Sequence, residues 1–476
     1  MGDNRRNSFR PTLFLQPHLN QDGRAAPANV NPAMSDKATK RSLIGLRNVK
    51  VTRNYILLIA AIFAAELGYG IVIPALQLYS TKVLGATVGM VGVAIAAFPF
   101  TNTFLKIFGG SLADRYGRRL MIAIGLTISC LSPLLLSLIN VSWLIWLYIP
   151  IRAMDGTGNS VIWPAANAMV ADMMGRKRRD AALGVLNLSF ALGSGVGPAI
   201  GLYLMDWFGG VEGGGAKWTF WSASILNGLT ALGAFLFMQE TLRRRKREPA
   251  KSLPRTEVIR NWWKELGQAL SALYKNGKLL ALSLQGFINM FIVGINTSVL
   301  VFYADNVLKL QTYQIGFGFL FLSLSTILCV YPAGRYAERI GRKYLMIFGM
   351  FLVSSAMVML PFITRAGFYY TMMLMSGAGV AMILPSWMSL SVENMPLRGR
   401  ATVLGGVGTI TSFGLVVGPI VAGYLYEGIA PQAPFFFAAA LIAANAVFIT
   451  YVFRDHHERN RYRRAEYRSP YYVPRD

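Results

Sequence analysis

Four ionisable side chains stand inside long apolar stretches of this chain: Glu66, Lys106, Arg152 and Asp155. A charge surrounded by hydrocarbon has to be paired, hydrated or functional, so each is a candidate for chemistry. A carboxyl at position 66 can hold a proton or a cationic guest but not both, and this exclusion is the simplest basis for exchanging one for the other. The competing reading is a glutamate hydrogen-bonded for structure alone. Arg152 and Asp155, three apart, share one helical face and can neutralise each other. Alternatively, the Arg152 guanidinium takes part in proton coupling or receives a substrate carboxylate. Glu66, Arg152 and Asp155 form the candidate coupling set, while Lys106 reads as a structural lysine reaching for the membrane surface. Catalytic and metal chemistry find no support. His18, His456 and His457 fall in the polar ends, and Cys130 and Cys329 are isolated in apolar runs. No His/Cys ligand cluster can be assembled from them, and no enzyme activity is expected.

The elements that must position these residues are membrane helices. Of 476 residues, 54% are hydrophobic and 14% charged, with formal charge +25; a soluble domain carries about 25% charged residues. That balance excludes a soluble enzyme, a disulfide scaffold and a disordered chain, and the spread of the charge between apolar runs argues against a nucleic-acid partner. A hydrocarbon core about 30 Å thick needs roughly 20 apolar residues per helix. Twelve runs qualify: 54–79, 87–109, 119–139, 142–173, 182–206, 218–239, 279–304, 313–335, 344–364, 367–393, 401–426 and 433–453. The fold class is therefore an all-α membrane protein of twelve transmembrane helices in two six-helix bundles, residues 54–239 and 279–453.

With the N-terminus inside, 41 of the 47 basic residues fall on the inner side and only Lys82, Lys217, Lys309 and Arg365 on the outer. The positive-inside rule then puts both termini in the cytoplasm. Residues 1–53 and 454–476 read as disordered cytoplasmic tails. In the 240–278 linker, Val258, Trp262, Leu266, Leu270 and Leu273 line one helical face, the pattern of an interfacial amphipathic helix tethering the two halves. The polar, basic start is no secretory signal, and MGDNRR lacks the hydroxyl residue that N-myristoylation expects.

The halves repeat each other. At an offset of 221, Gly184, Gly193, Gly197 and Pro198 map to Gly405, Gly414, Gly418 and Pro419, and Asp172 and Arg179 map to Glu393 and Arg400. At 224, Gly110, Asp114, Arg115, Gly117 and Arg118 map to Gly334, Glu338, Arg339, Gly341 and Arg342. The chain is a tandem duplication of a six-helix unit, the architecture of transporters whose bundles rock about a midplane site. Arg152 maps to Met373, so its charge is not shared by the second copy. Gly193, Gly197 and Gly201, with Gly414 and Gly418, permit close helix approach, and Pro198 and Pro419 add a kink that seals or hinges each bundle.

GGSLADRYGRR (109–119) resembles the loop motif between spans two and three of the major facilitator superfamily. IRAMDGTG (151–158) is similar to its span-four motif, Gly184 to Gly201 to the span-five motif of its drug:proton antiporter branch, and GYGIVIP (68–74) to that branch's span-one motif. The resemblance implies a conformational latch. Gly110 and Gly117 would permit the tight turn, Asp114 would face the start of span eleven near Ala401, and Arg118 would meet Asp172, with Glu338 and Arg342 as second-half equivalents. An aspartate at 155 departs from the family's usual uncharged residue.

Gln285, Asn289 and Asn296 form a polar stripe on span seven, facing either a cavity or a neighbouring helix. With Tyr69, Asn159, Trp163 and Tyr303 they are the candidate substrate-cavity residues, aromatic walls suiting amphipathic or cationic guests. The expected function is export of small amphipathic drugs or metabolites against inward proton flow. The alternatives are uptake of a polar metabolite such as a sugar or organic acid, and a transporter-like receptor or assembly protein. No Walker-type phosphate loop occurs, so a primary pump is not expected. The implied partners are a small-molecule substrate and membrane lipids. No cofactor is expected beyond H+ as coupling ion, with a monomer in the bacterial inner membrane as the setting.

Overall fold

The computed structural model describes residues 52–175, 178–242, 276–363, 365–395 and 400–454, with Arg260, Gly267, Ser271 and Tyr274 from the linker. The tails and the linker's amphipathic face fall largely outside these residues. The first bundle comprises α1 (Arg53–Lys82), α2 (Val88–Tyr116), α3 (Arg118–Ser137), α4 (Tyr148–Met173), α5 (Arg179–Trp207) and α6 (Gly215–Phe237). The second comprises α7 (Gly277–Asn306), α8 (Thr312–Ile340), α9 (Arg342–Met359), α10 (Ala366–Asn394), α11 (Arg400–Gly428) and α12 (Ala433–Val452). The described residues contain no strand.

Eleven of these helices are long and apolar enough to cross a membrane. The other long helix is α4, whose 26 residues span about 39 Å at 1.5 Å per residue. It falls short in apolarity because it carries Arg152, Asp155, Asn159, Asn167 and Asp172. Its start also differs from the expected 142: residues Ser142–Leu147 make a 3-10 turn, and the α-helix begins at Tyr148. Pro150 sits in that first turn, where a missing N–H costs no hydrogen bond.

The repeat is visible in the packing. In the first bundle α1 lies against α5 and α6, while α4 lies against α2 and α3; in the second α7 lies against α11 and α12, while α10 lies against α8 and α9. The bundles meet chiefly through α2 with α11 and α5 with α8, the same pair of contacts by the duplication. Small residues set these approaches. A Cβ added at Gly423 would lie 2.6 Å from Gly89 Cα, and one at Gly316 would lie 3.1 Å from Ala199 Cα. Both contacts are at the outer ends. At the inner ends of α5 and α11 an added Cβ at Gly184, Gly405 or Gly408 meets no atom within 4 Å. Among the described residues, the bundles close on each other at the outer ends and leave open space at these inner-end positions of α5 and α11.

Candidate functional site

Glu66 lies thirteen residues after the first residue of α1, about 20 Å along the helix. It is 5% exposed. Its neighbours are placed by small residues on two other helices. Gly193 of α5 lets that helix sit directly on the glutamate: a Cβ there would be 2.5 Å from Phe63 O and 3.0 Å from Glu66 Cβ. One turn further, Gly197 backs onto Gly70 at 2.7 Å and Gly201 onto Ile71 O at 2.5 Å by the same construction. Gly418 repeats the arrangement in the second bundle, 3.1 Å from Gly294 Cα. The glycine rows therefore act by close packing of α5 on α1 and of α11 on α7.

The carboxyl of Glu66 receives a donor from α4. Trp163 Nε1 donates to Glu66 Oε1 at 3.2 Å. Asn159, one turn before Trp163, has its side-chain carbonyl oxygen held by Asn102 Nδ2 at 2.8 Å. Trp163 also meets Phe190 edge to face at 5.3 Å, and Phe190 is 39% exposed. A carboxyl oxygen thus sits beside an aromatic wall that a guest can touch.

About two turns before Asn159 and three before Trp163 on α4, Arg152 is fully buried. Its Nη1 binds Asp155 Oδ2 at 2.7 Å, and its guanidinium lies over the rings of Phe98 at 4.9 Å and Tyr69 at 5.4 Å. Asp155 Oδ1 accepts from Ser129 Oγ at 2.9 Å, and Asn227 Nδ2 donates to the carbonyl of Ser129 at 3.3 Å. The pair expected from the i, i+3 spacing is formed and tied to α3 and α6. Among the described residues, Nε and Nη2 of Arg152 have no hydrogen-bond acceptor. The guanidinium therefore keeps donors in reserve despite its ion pair.

At the inner face, Gly117 adopts φ +112° and Gly341 φ +108°, a region that a side chain disfavours. Each breaks one helix from the next within a single residue. Arg118 binds Asp172, donates to Ala168 O at 2.8 Å and stands 3.5 Å from Asp114. Arg342 binds Glu393 in the second copy. Asp114 is 68% exposed, and Glu338 is exposed as well. The expected contact of Asp114 near Ala401 falls on a side chain outside those described.

Two folds with one loop motif, twice repeated and twice ion-paired, point to one family. The sequence signature of the Major Facilitator Superfamily matches residues 58–405 and 282–470. The chain belongs to the major facilitator superfamily. Its members are transporters and not enzymes, and this one is an integral, multi-pass membrane protein. Multidrug resistance protein 2 of Bacillus subtilis is 25% identical over 390 residues, covering 81% of this chain and 91% of that protein. Quinolone resistance protein NorA of Staphylococcus aureus is 25% identical over 393 residues, 82% and 93% of the two chains. Among solved structures, a bacterial homologue of the human lysosomal transporter Spinster superposes with TM-score 0.67 at 15% identity, covering 86% of this chain and 98% of that one. The nucleoside transporter NupG gives 0.65 at 14%, covering 84% and 99%. At such identities these structures show the shared fold.

Two expectations for this transporter need correction. The polar stripe of α7 is in part a packing face: Gln285 accepts from Asn445 Nδ2, and Tyr303, on the same face, is buried against Phe435 at 4.9 Å, both partners belonging to α12. Gln285 and Tyr303 are therefore packing residues, while Asn289 and Asn296 are half-buried. Gly110 is not in a turn but inside α2, where an added Cβ would make ordinary contact with Pro164 at 3.8 Å. The close approach to α4 belongs to its neighbour Gly109, which lies against Ser160. Asn102, Phe98 and Phe190, by contrast, enter the site without having been singled out. Their only signal was polarity or aromaticity within an apolar run. Glu240, just past α6, accepts from the backbone N–H groups of Arg118 and Arg119 at 3.1 Å each, capping α3.

Proposed function

We propose that this transporter exports small amphipathic drugs or metabolites in exchange for protons, by alternating access between its two bundles. The reading rests on one observation above all, the buried Glu66 carboxyl held by Trp163 beside the partly exposed ring of Phe190. Such a carboxyl keeps its proton when empty and, on giving it up, has an indole donor to balance its charge and an aromatic surface to accept an apolar cation. A proton and a cationic guest compete for the same oxygens, so the carrier returns with one or the other. Arg152, neutralised by Asp155 yet with donors to spare, sits at the same depth of the bundle. It would carry the conformational consequence of that exchange through Tyr69 and Phe98. The inner latch of Asp114, Arg118 and Asp172 would close when the outer side opens. The named relatives, which include multidrug and quinolone resistance proteins, support export of drug-like cargo. The bacterial cytoplasmic membrane is the setting this reading takes.

Inverted vesicles with an imposed pH gradient test it. Cargo accumulation that collapses with the gradient, and that Glu66→Gln abolishes, is the expected result. Accumulation independent of the gradient, or driven with it in the uptake direction, refutes exchange. Uptake of a carboxylate-bearing metabolite dependent on Arg152 would replace it with the second reading, for which the two unpaired Arg152 nitrogens speak.

A further inference from the structure

The two bundles touch through antiparallel helices, and at the outer end of one such pair a carboxylate crosses between them. Glu427, in the last turn of α11, accepts from the backbone N–H of Val88, the first residue of α2. The first N–H groups of a helix lack intrahelical acceptors and carry its positive dipole end, which a carboxylate satisfies. Backbone contact makes room for it: Glu427 Oε2 lies 3.1 Å from the position a Gly89 Cβ would occupy, and Gly423 backs onto Gly89. Nearby, Lys82 at the end of α1 binds Asp305 at the end of α7 at 2.7 Å, and Gln77 donates to Thr297 O. Each of these three contacts joins the first bundle to the second.

The inner end of the same helix pair has the opposite arrangement. There α2 ends in an acid, Asp114, two residues before its last residue, and α11 begins. Asp114 is 68% exposed. The antiparallel pair thus carries one acid near each helix C-terminus, on the side where the other helix starts. The duplication extends the pattern: the 221 offset relates Glu427 to Asp206 near the end of α5, as Asp114 is related to Glu338 of α8. The second pair does not use its outer acid. Asp206 is exposed, and α8 caps its own start through reciprocal bonds of Gln311 and Gln314.

We infer that Glu427 is the outer latch of this transporter, holding the inward-open form by capping α2 as Asp114 would cap α11 in the outward-open form. Lys82 and Asp305 are its auxiliary clamp. The inference rests on the alternating-access reading but assigns residues which that reading does not use. Each acid would act in the opposite state of the cycle, so the two bias one equilibrium in opposite directions.

The test uses the full chain in lipid nanodiscs, with Cys130→Ser and Cys329→Ser, and spin labels at Glu212→Cys and Arg365→Cys, one on the outer loops of each bundle. Pulsed electron spin resonance then reads the short and long outer distances. Glu427→Ala is expected to raise the ratio of outward-open to inward-open molecules about threefold to tenfold, the range for losing a helix cap. Lys82→Met gives a smaller rise, being a partly exposed pair, and Asp114→Asn shifts the ratio the other way. If Glu427→Ala does not fold, Glu427→Gln, which removes the charge alone, is read in the same way with a smaller rise. An unchanged ratio in a folded Glu427 variant, with Asp114→Asn still shifting it, overturns the outer latch and leaves alternating access standing. A single outer distance in the parent and all variants overturns both.

Discussion

Trp163 and Glu66 join α4 to α1 through one hydrogen bond, indole Nε1 to carboxylate Oε1, at 3.2 Å. The bond makes the charge state of a side chain on one helix felt by the helix that also carries Arg152 and Asp155. A proton or a cationic guest arriving at Glu66 weakens the acceptor and so loosens α1 from α4. A hydrogen bond to a charged group is worth about 1.5–3 kcal/mol, enough to shift a two-state equilibrium by one to two orders of magnitude.

Trp163→Phe keeps the aromatic contact with Phe190 and removes only the donor. The expected result is cargo-driven proton movement slowed about tenfold or more, with normal yield and a modestly lowered melting temperature. Proteoliposome flux with a pH-sensitive dye measures it.

Arg152→Met leaves Asp155 buried without its cation, which costs about 3–5 kcal/mol. Thermal unfolding in detergent is expected to show a large loss. Adding Asp155→Asn restores much of that stability because the orphan charge is gone, but exchange does not return. A double variant that recovers both would reduce the pair to a structural element.

Gly193→Val drives a side chain into Phe63 O and the Glu66 backbone neighbour. Transport is expected to fall below detection while the chain still inserts. Gly184→Val, at a position with open space around it, is the control and retains transport in the inner-open form.

Gly117→Ala and Gly341→Ala separate backbone strain from crowding. Both positions have positive φ, so each substitution costs about 1–3 kcal/mol. Gly117→Ala is the worse of the two, because its Cβ would also lie 2.5 Å from Glu240 Oε2, whereas Gly341→Ala finds only Tyr344 at 3.4 Å. Paired melting curves rank them.

The helices and their duplication were legible because apolar length and a repeated glycine spacing are local properties. The ion pair of Arg118 with Asp172, and its echo in Arg342 with Glu393, followed from the family resemblance and the offset together. Glu66 was legible as a charge out of place. Its partners were only half so: Asn159 and Trp163 stood among the candidate residues, but Asn102 and Phe190 have nothing in their own residue type that reports which helix they will face. The same limit misplaced Gln285 and Tyr303. Periodicity puts both on one face of α7, but whether α12 or a cavity lies opposite is decided by tertiary packing. Glu427 was not legible, because its repeat mate Asp206 is exposed and α8 caps its own start.

The central claim is that Glu66 exchanges a proton for cargo, and proton release on binding tests it most directly. Purified protein in weakly buffered detergent solution is mixed with a saturating cationic amphiphile, and the pH change is followed with an indicator dye. The account predicts release of about one proton per bound molecule in the parent chain and none in Glu66→Gln, with binding of the amphiphile measured separately in both. Equal proton release from the parent and Glu66→Gln would contradict it.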